Sequence, residues 1–102
     1  MKLFKHLAVD QVKDMLDKDV TVVDIRDSQS YQQGHLKGAQ SVGDANIEVF
    51  VKEADKHKPM ICYCYHGHSS QSAASYFAQQ GFSEVYTMDG GYEAYKNLYE
   101  QS

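Results

Sequence analysis

Met60-Ile61-Cys62-Tyr63-Cys64-Tyr65-His66-Gly67-His68-Ser69-Ser70 is the stretch from which the rest of the chain can be read. Its first four residues follow the only proline, Pro59, and the polar turn Lys56-His57-Lys58; being mostly apolar, they predict a buried strand. Ser69 and Ser70 are candidate caps for a helix running to Gln80, with Ala73, Ala74 and Phe77 on one face and Gly81 to end it. Between strand and helix lies a short loop into which the helix N-terminus points. Free N–H groups and the positive end of the helix dipole favour an anion there, and they favour a cysteine thiolate over its thiol. Cys64 is therefore the candidate nucleophile. Cys62 sits inside the strand, where apolar surroundings disfavour a thiolate, and it reads as structural.

Outward from this centre, strand-like and helix-like segments alternate. Val20-Thr21-Val22-Val23-Asp24-Ile25 is β-branched and nearly all apolar, as a strand covered on both faces must be. Before it, Val9, Val12, Met15 and Leu16 recur at helical spacing, with Ala8 or Asp10 as a weak cap. After it, Ser28 to Gln33 predicts a short helical turn stopped by Gly34, then a connection and a brief strand near 40–42. Ile47, Phe50, Val51 and Ala54 predict a helix between Asn46 and Asp55. On the far side, Glu84 to Met88 reads as a strand, Asp89-Gly90-Gly91 as a turn, and Tyr92 to Tyr99 as a helix that packs through Tyr95, Leu98 and Tyr99. The alternation predicts an α/β fold with a central, mostly parallel sheet and helices on both faces, whose ligands sit beyond the carboxyl ends of the strands. Cys64 is at such an end.

At 102 residues the chain has the size of one domain, and we expect one domain over 1–102. A formal net charge of -4 argues against nucleic-acid binding, which needs a Lys/Arg excess on one face. No apolar run approaches the roughly 18 residues of a membrane span, and the N-terminus lacks a signal-like apolar core, so we expect a cytoplasmic protein. Cys62 and Cys64 stand too close together for a useful disulfide, which fits reduced thiols. Cys62, Cys64, His66 and His68 alternate, yet their spacing is too tight for a zinc site, and we expect no metal and no cofactor. His66 and His68 are either exposed loop residues or donors of charge and hydrogen bonds near a bound anion. Asp24 and Arg26 are candidates for an ion pair bracing the sheet's carboxyl edge. Tyr65 is placed to wall a pocket.

These residues resemble the rhodanese family over nearly the whole chain, most closely its small single-domain bacterial thiosulfate sulfurtransferases of the glycerol-regulon type. Val23-Asp24-Ile25-Arg26-Asp27 is similar to the family's Asp-x-Arg strand end, and Tyr31 to Ala39 to its aromatic, Gly-His, Gly-Ala signature. Cys64 to Ser70 is similar to the active loop, and Asp89-Gly90-Gly91-Tyr92-Glu93-Ala94-Tyr95 to the C-terminal signature. Two positions depart: Lys37 stands where proline is frequent, and His68 where these small members often have asparagine.

The resemblance implies a double displacement. Cys64 takes the outer sulfur of thiosulfate as a persulfide and passes it to a thiol, cyanide or thioredoxin-like acceptor. It further implies that the backbone of Tyr65, His66, Gly67, His68 and Ser69 holds the anion, with Asp24, Arg26, His35 and Ser70 in support, and that the protein is a monomer or weak dimer. Two rivals stand beside it. A cysteine-dependent phosphatase or arsenate reductase needs an arginine after five intervening residues, and that position is Ser70. A non-catalytic rhodanese-like binding module would normally have lost the cysteine, and Cys64 is present.

Overall fold

The structure, a computed structural model, describes residues 4–99, so both ends of the expected 1–102 domain lie outside the described residues. The elements run β1 (Lys5–Leu7), α1 (Val9–Met15), β2 (Thr21–Asp24), α2 (Ser28–Gln33), β3 (Gln40–Ser41), α3 (Ile47–Glu53), β4 (Met60–Tyr63), α4 (Ser69–Gln79), β5 (Val85–Met88) and α5 (Gly91–Tyr99). The strands form one sheet in the order β1-β5-β4-β2-β3, and every pair is parallel. The α/β class read from the sequence is the class found.

β2 and β4, the two strands whose residues are all buried, lie inside the sheet, which is why their sequences are mostly apolar runs rather than alternations. One face is covered by Val9 and Val12 of α1 and Tyr92 and Tyr95 of α5, packed on Val22, Ile61, Tyr63 and Met88. The other is covered by Ala74 and Phe77 of α4, with Phe50 of α3, packed on Val23, Met60, Cys62 and Val85. Neighbouring strands β2 and β4 therefore feed helices on opposite faces, since Tyr31 of α2 packs with the first group and α4 with the second. Diverging helices open a crevice at the carboxyl ends of β2 and β4. Tyr63, the last residue of β4, lies in register with Asp24, so Cys64 emerges into that crevice.

Three local expectations are corrected. The sequence reading began the regular structure with a helix and missed β1; its three residues carry no periodicity and are held by pairing with β5, whose partner residues are 81 positions further along the chain. Ser69 and Ser70 were expected to cap α4, but the cap position is His68, without a side-chain cap bond. Ser70 lies with Ala74 and Phe77 on the buried face of α4 and points into the protein instead of folding back on the backbone. Lastly, α5 begins at Gly91 and buries Gly91, Tyr92 and Tyr95, whereas Leu98 is 58% exposed and Tyr99 partly so. At about 100° per residue, Leu98 falls to one side of the Tyr92–Tyr95 stripe.

Candidate active site

The loop after β4 is built around a sulfur atom. Cys64 is only 6% exposed, and its Sγ accepts the backbone N–H groups of Gly67 at 3.1 Å and Ser70 at 3.2 Å. The first N–H groups of a helix have no partner within it, and here the cysteine sulfur does the work expected of the serine caps. Burial pushes the Cys64 thiol up, but the Ser70 hydroxyl and the backbone N–H groups of Ser70, Gly67 and His66 outweigh it and leave the thiol below its ordinary value. Cys62 has the opposite balance: fully buried among apolar side chains, it is pushed up to about 12 and stays a thiol, its S–H directed to the Ser70 carbonyl at 3.5 Å.

Three contacts fix the loop. Tyr92 N–H, in the first turn of α5, donates to the Cys64 carbonyl at 2.8 Å, and Glu93 N–H donates to the Tyr65 carbonyl at 3.0 Å. Gln71 of α4 donates its side-chain amide to the Gly67 carbonyl at 3.0 Å. The loop carbonyls are thus drawn outward, which leaves the N–H groups facing in, the arrangement that makes an anion nest. Gly67 has φ +93, and a Cβ there would stand 2.9 Å from the Gly90 nitrogen. Gly91 is tighter still: it has φ +64, and a Cβ would meet the Tyr65 carbonyl oxygen at 2.4 Å and that of Cys64 at 2.6 Å. We expect Gly91→Ala to lose activity and to unfold earlier by roughly 4–24 °C, combining a left-handed residue at about 1–3 kcal/mol with the Tm shift of a small domain. Thermal unfolding beside an activity assay checks this; an unchanged Tm would show that the loop yields at that point.

The remaining candidates lie as follows. His66 pairs with Glu93, Nδ1 to Oε2 at 3.0 Å, on the exposed side of the loop. Tyr65, 45% exposed, walls a polar cleft of about 270 Å³ together with Arg26, Gln33 and Lys96. Ser69 opens α4. His35 stacks on Tyr31 with centroids 3.9 Å apart and takes the Tyr31 carbonyl through Nδ1, so it supports the α2–β3 connection and is not brought to the sulfur. Asp24 and Arg26 meet at the carboxyl end of β2, with Arg26 Nη2 on Asp24 Oδ2 at 2.6 Å. Lys37 pairs with Asp17 at the surface, 3.0 Å apart. A second groove, about 400 Å³, lies at the far edge between β3 and α3 and includes no residue of the loop. Among the described residues no group of three or more His, Cys, Asp and Glu side chains is gathered as metal ligands, and no helix is long and apolar enough to cross a membrane.

Sequence reasoning missed three parts of the site. Tyr63 read as an apolar strand residue, yet its hydroxyl donates to Asp24 Oδ2 at 2.7 Å and accepts the Leu36 N–H. Burial pushes that hydroxyl far above its ordinary range, so it remains a donor. The α5 N–H groups that hold the loop, and Thr87 behind Ser70, are the other two. The only signal for any of them was the position of a polar group within an otherwise apolar run.

A measurable consequence concerns the thiols. Iodoacetamide alkylation of Cys64 against pH is expected to reach half-maximum below about 8.5, the ordinary thiol value, with Cys62 unreacted in the folded protein. A midpoint at or above that value would mean that the loop N–H groups do not act on the sulfur.

Comparison with known proteins identifies the family. The family model described as rhodanese-like domain matches residues 8–98. A curated protein named thiosulfate sulfurtransferase GlpE from Pseudoalteromonas translucida is 48% identical over 99 residues, covering 96% of this chain and 94% of that protein. One of the same name from Shewanella oneidensis is 46% identical over 96 residues, covering 93% and 95%. Among solved structures, a rhodanese-related protein from Thermoplasma volcanium superposes with a TM-score of 0.82 at 17% identity, covering 96% of each chain, a likeness of fold.

Proposed function

The chain belongs to the rhodanese-like domain family, and from that premise we propose that it is a thiosulfate sulfurtransferase whose carrier atom is the sulfur of Cys64. The observation that carries the assignment to Cys64 is its buried Sγ, surrounded by inward N–H groups from Gly67 and Ser70 and lowered in pKa.

The Cys64 thiolate attacks the outer sulfur of thiosulfate. A bond forms between Sγ and that sulfur, the original S–S bond breaks, and its electron pair leaves with sulfite. Sulfite departs as a stable anion, so the step needs little protonation, which suits a loop without a carboxylate. The persulfide carries its negative charge into the N–H nest, to which Tyr65, His66, His68 and Ser69 contribute backbone. An acceptor thiolate then attacks the outer sulfur, takes it as its own persulfide and returns Cys64 to the thiolate. Cyanide does the same and leaves as thiocyanate, and a thioredoxin-like dithiol is a third acceptor. We place this work in the cytoplasm, where such acceptors are kept reduced. We propose that it works as a monomer or weak dimer.

An intact mass taken after thiosulfate treatment, and again after a thiol, tests the reading. One sulfur atom gained and then lost supports it, and no gain overturns it. The phosphatase alternative is disfavoured at Ser70, which stands where a guanidinium would have to grip phosphate and is instead turned inward onto Thr87. We therefore expect no measurable hydrolysis of an aryl phosphate; rates comparable with sulfur transfer would reverse the choice.

A further inference from the structure

Behind the nucleophile lies a pair of hydroxyls, Ser70 and Thr87, of which the second has no part in sulfur transfer as outlined above. Ser70 Oγ and Thr87 Oγ1 are 2.5 Å apart, and both residues are completely buried. Thr87 sits in β5 in register with Cys62 of β4, so the pair bridges the sheet to the first turn of α4 beneath the loop. The surroundings include Ala74, Phe77 and Val85, where a hydroxyl is costly unless it is hydrogen-bonded. Valine or alanine would fill such a place at lower cost.

Each of the two hydroxyls has one proton, which leaves two orientations. If Ser70 donates to Thr87, the Ser70 proton is directed away from Cys64. If Thr87 donates to Ser70, the Ser70 proton is free for the sulfur. The rest of Ser70 is already committed to the two cysteines, since its N–H donates to Cys64 Sγ and its carbonyl accepts from Cys62. An ionised sulfur at the end of the chain attracts the proton, and hydrogen bonds in series strengthen one another in a buried site.

We propose that Thr87 is a positioning residue for sulfur transfer: its hydroxyl donates to Ser70 Oγ and so turns the Ser70 proton onto Cys64 Sγ. This rests on Cys64 as the nucleophile. The Ser70 hydroxyl is among the groups that hold the Cys64 thiol below its ordinary value. Charged groups on the surrounding elements are paired with one another: Asp24 with Arg26, His66 with Glu93, and His6 with Asp89. Among the described residues, the titratable groups hydrogen-bonded to Ser70 are Cys62 and Cys64.

The test is the alkylation midpoint of Cys64 in Thr87→Val, with Tm measured alongside. We expect the midpoint to rise by about one to two units, the value of one hydrogen bond to the charged form, and Thr87→Ser to restore it. Ser70→Ala should also raise it, and Thr87→Val should then add nothing. A lowered midpoint in Thr87→Val would show that Ser70 had been donating to Thr87. An unchanged midpoint, or an equal shift in the Ser70→Ala background, would reduce Thr87 to a packing residue. Should Thr87→Val fail to fold, Thr87→Ala and Ser70→Ala give the same comparison. Sulfur loading of the parent protein, read by intact mass, is independent of this outcome, so loss of the relay and loss of the assigned function are told apart.

Discussion

Cys64→Ser is expected to reduce thiosulfate-dependent sulfur transfer to background, a loss on the order of 10⁴-fold or more, as removal of a covalent nucleophile does elsewhere. A serine hydroxyl stays protonated in the nest, and its oxygen cannot hold a transferable sulfane sulfur. The backbone N–H groups that surround Sγ remain, so the variant should fold and bind the anion while transferring nothing. Cys62→Ser separates position from residue type. Cys62 is completely buried with its sulfur directed at the Ser70 carbonyl, and a hydroxyl there retains an acceptor but loses apolar packing. We expect a stability cost of about 1–3 kcal/mol and largely retained transfer. Sulfur transfer to cyanide, with peptide mapping of the sulfur-loaded protein, distinguishes the two. Sulfur found on Cys62, or equal inactivity of both variants, would show that the nucleophile had been misassigned.

How far the sequence shows this site depends on the range of each interaction. The β4–loop–α4 unit was legible because its signals are local: an apolar run, a glycine and a helical period beside one another in the chain. Asp24 and Arg26 were legible for the same reason, being two residues apart at a strand end. β1 was not, because Lys5-His6-Leu7 becomes a strand only through Tyr86, Thr87 and Met88. Tyr63 illustrates the difficulty better. Its ring belongs to the apolar core and was read that way, but its hydroxyl reaches Asp24 and Leu36, residues distant in sequence that the parallel sheet brings together.

The misread caps teach the same lesson at shorter range. Serine at the start of a helix normally accepts a backbone N–H, and that rule selected Ser69 and Ser70. In this fold the acceptor is Cys64 Sγ, which satisfies Ser70 N–H and leaves the Ser70 hydroxyl free to turn inward. A local propensity yields where a functional atom has taken its partner, so the failure of the cap rule marks the active loop.

The second large effect expected is on stability, in Asp24→Ala. Asp24 is completely buried and accepts from four donors: Arg26 N–H at 2.8 Å, Arg26 Nε at 3.1 Å to each oxygen, Arg26 Nη2 at 2.6 Å and the Tyr63 hydroxyl at 2.7 Å. The Arg26 side chain is itself 7% exposed, lies over the Tyr92 ring at 4.1 Å, and donates a further bond to the Gly34 carbonyl. Removing the carboxylate leaves a buried guanidinium without its counter-charge, at a cost of about 3–5 kcal/mol. For a domain of this size that lowers Tm by roughly 12–40 °C, a large share of a stability that is itself only about 5–15 kcal/mol. The loss should extend to activity, because Arg26 lines the cleft beside Tyr65 and ties the end of β2 to the α2–β3 connection. Asp24→Leu combined with Arg26→Met should recover much of the Tm, since replacing both partners removes the stranded charge. The double variant would then be stable but altered around the cleft. If Asp24→Ala unfolded within a degree or two of the parent, the pair would be worth no more than a surface ion pair, and the bracing of the carboxyl edge would have to come from the packing of Tyr63 and Tyr92 alone.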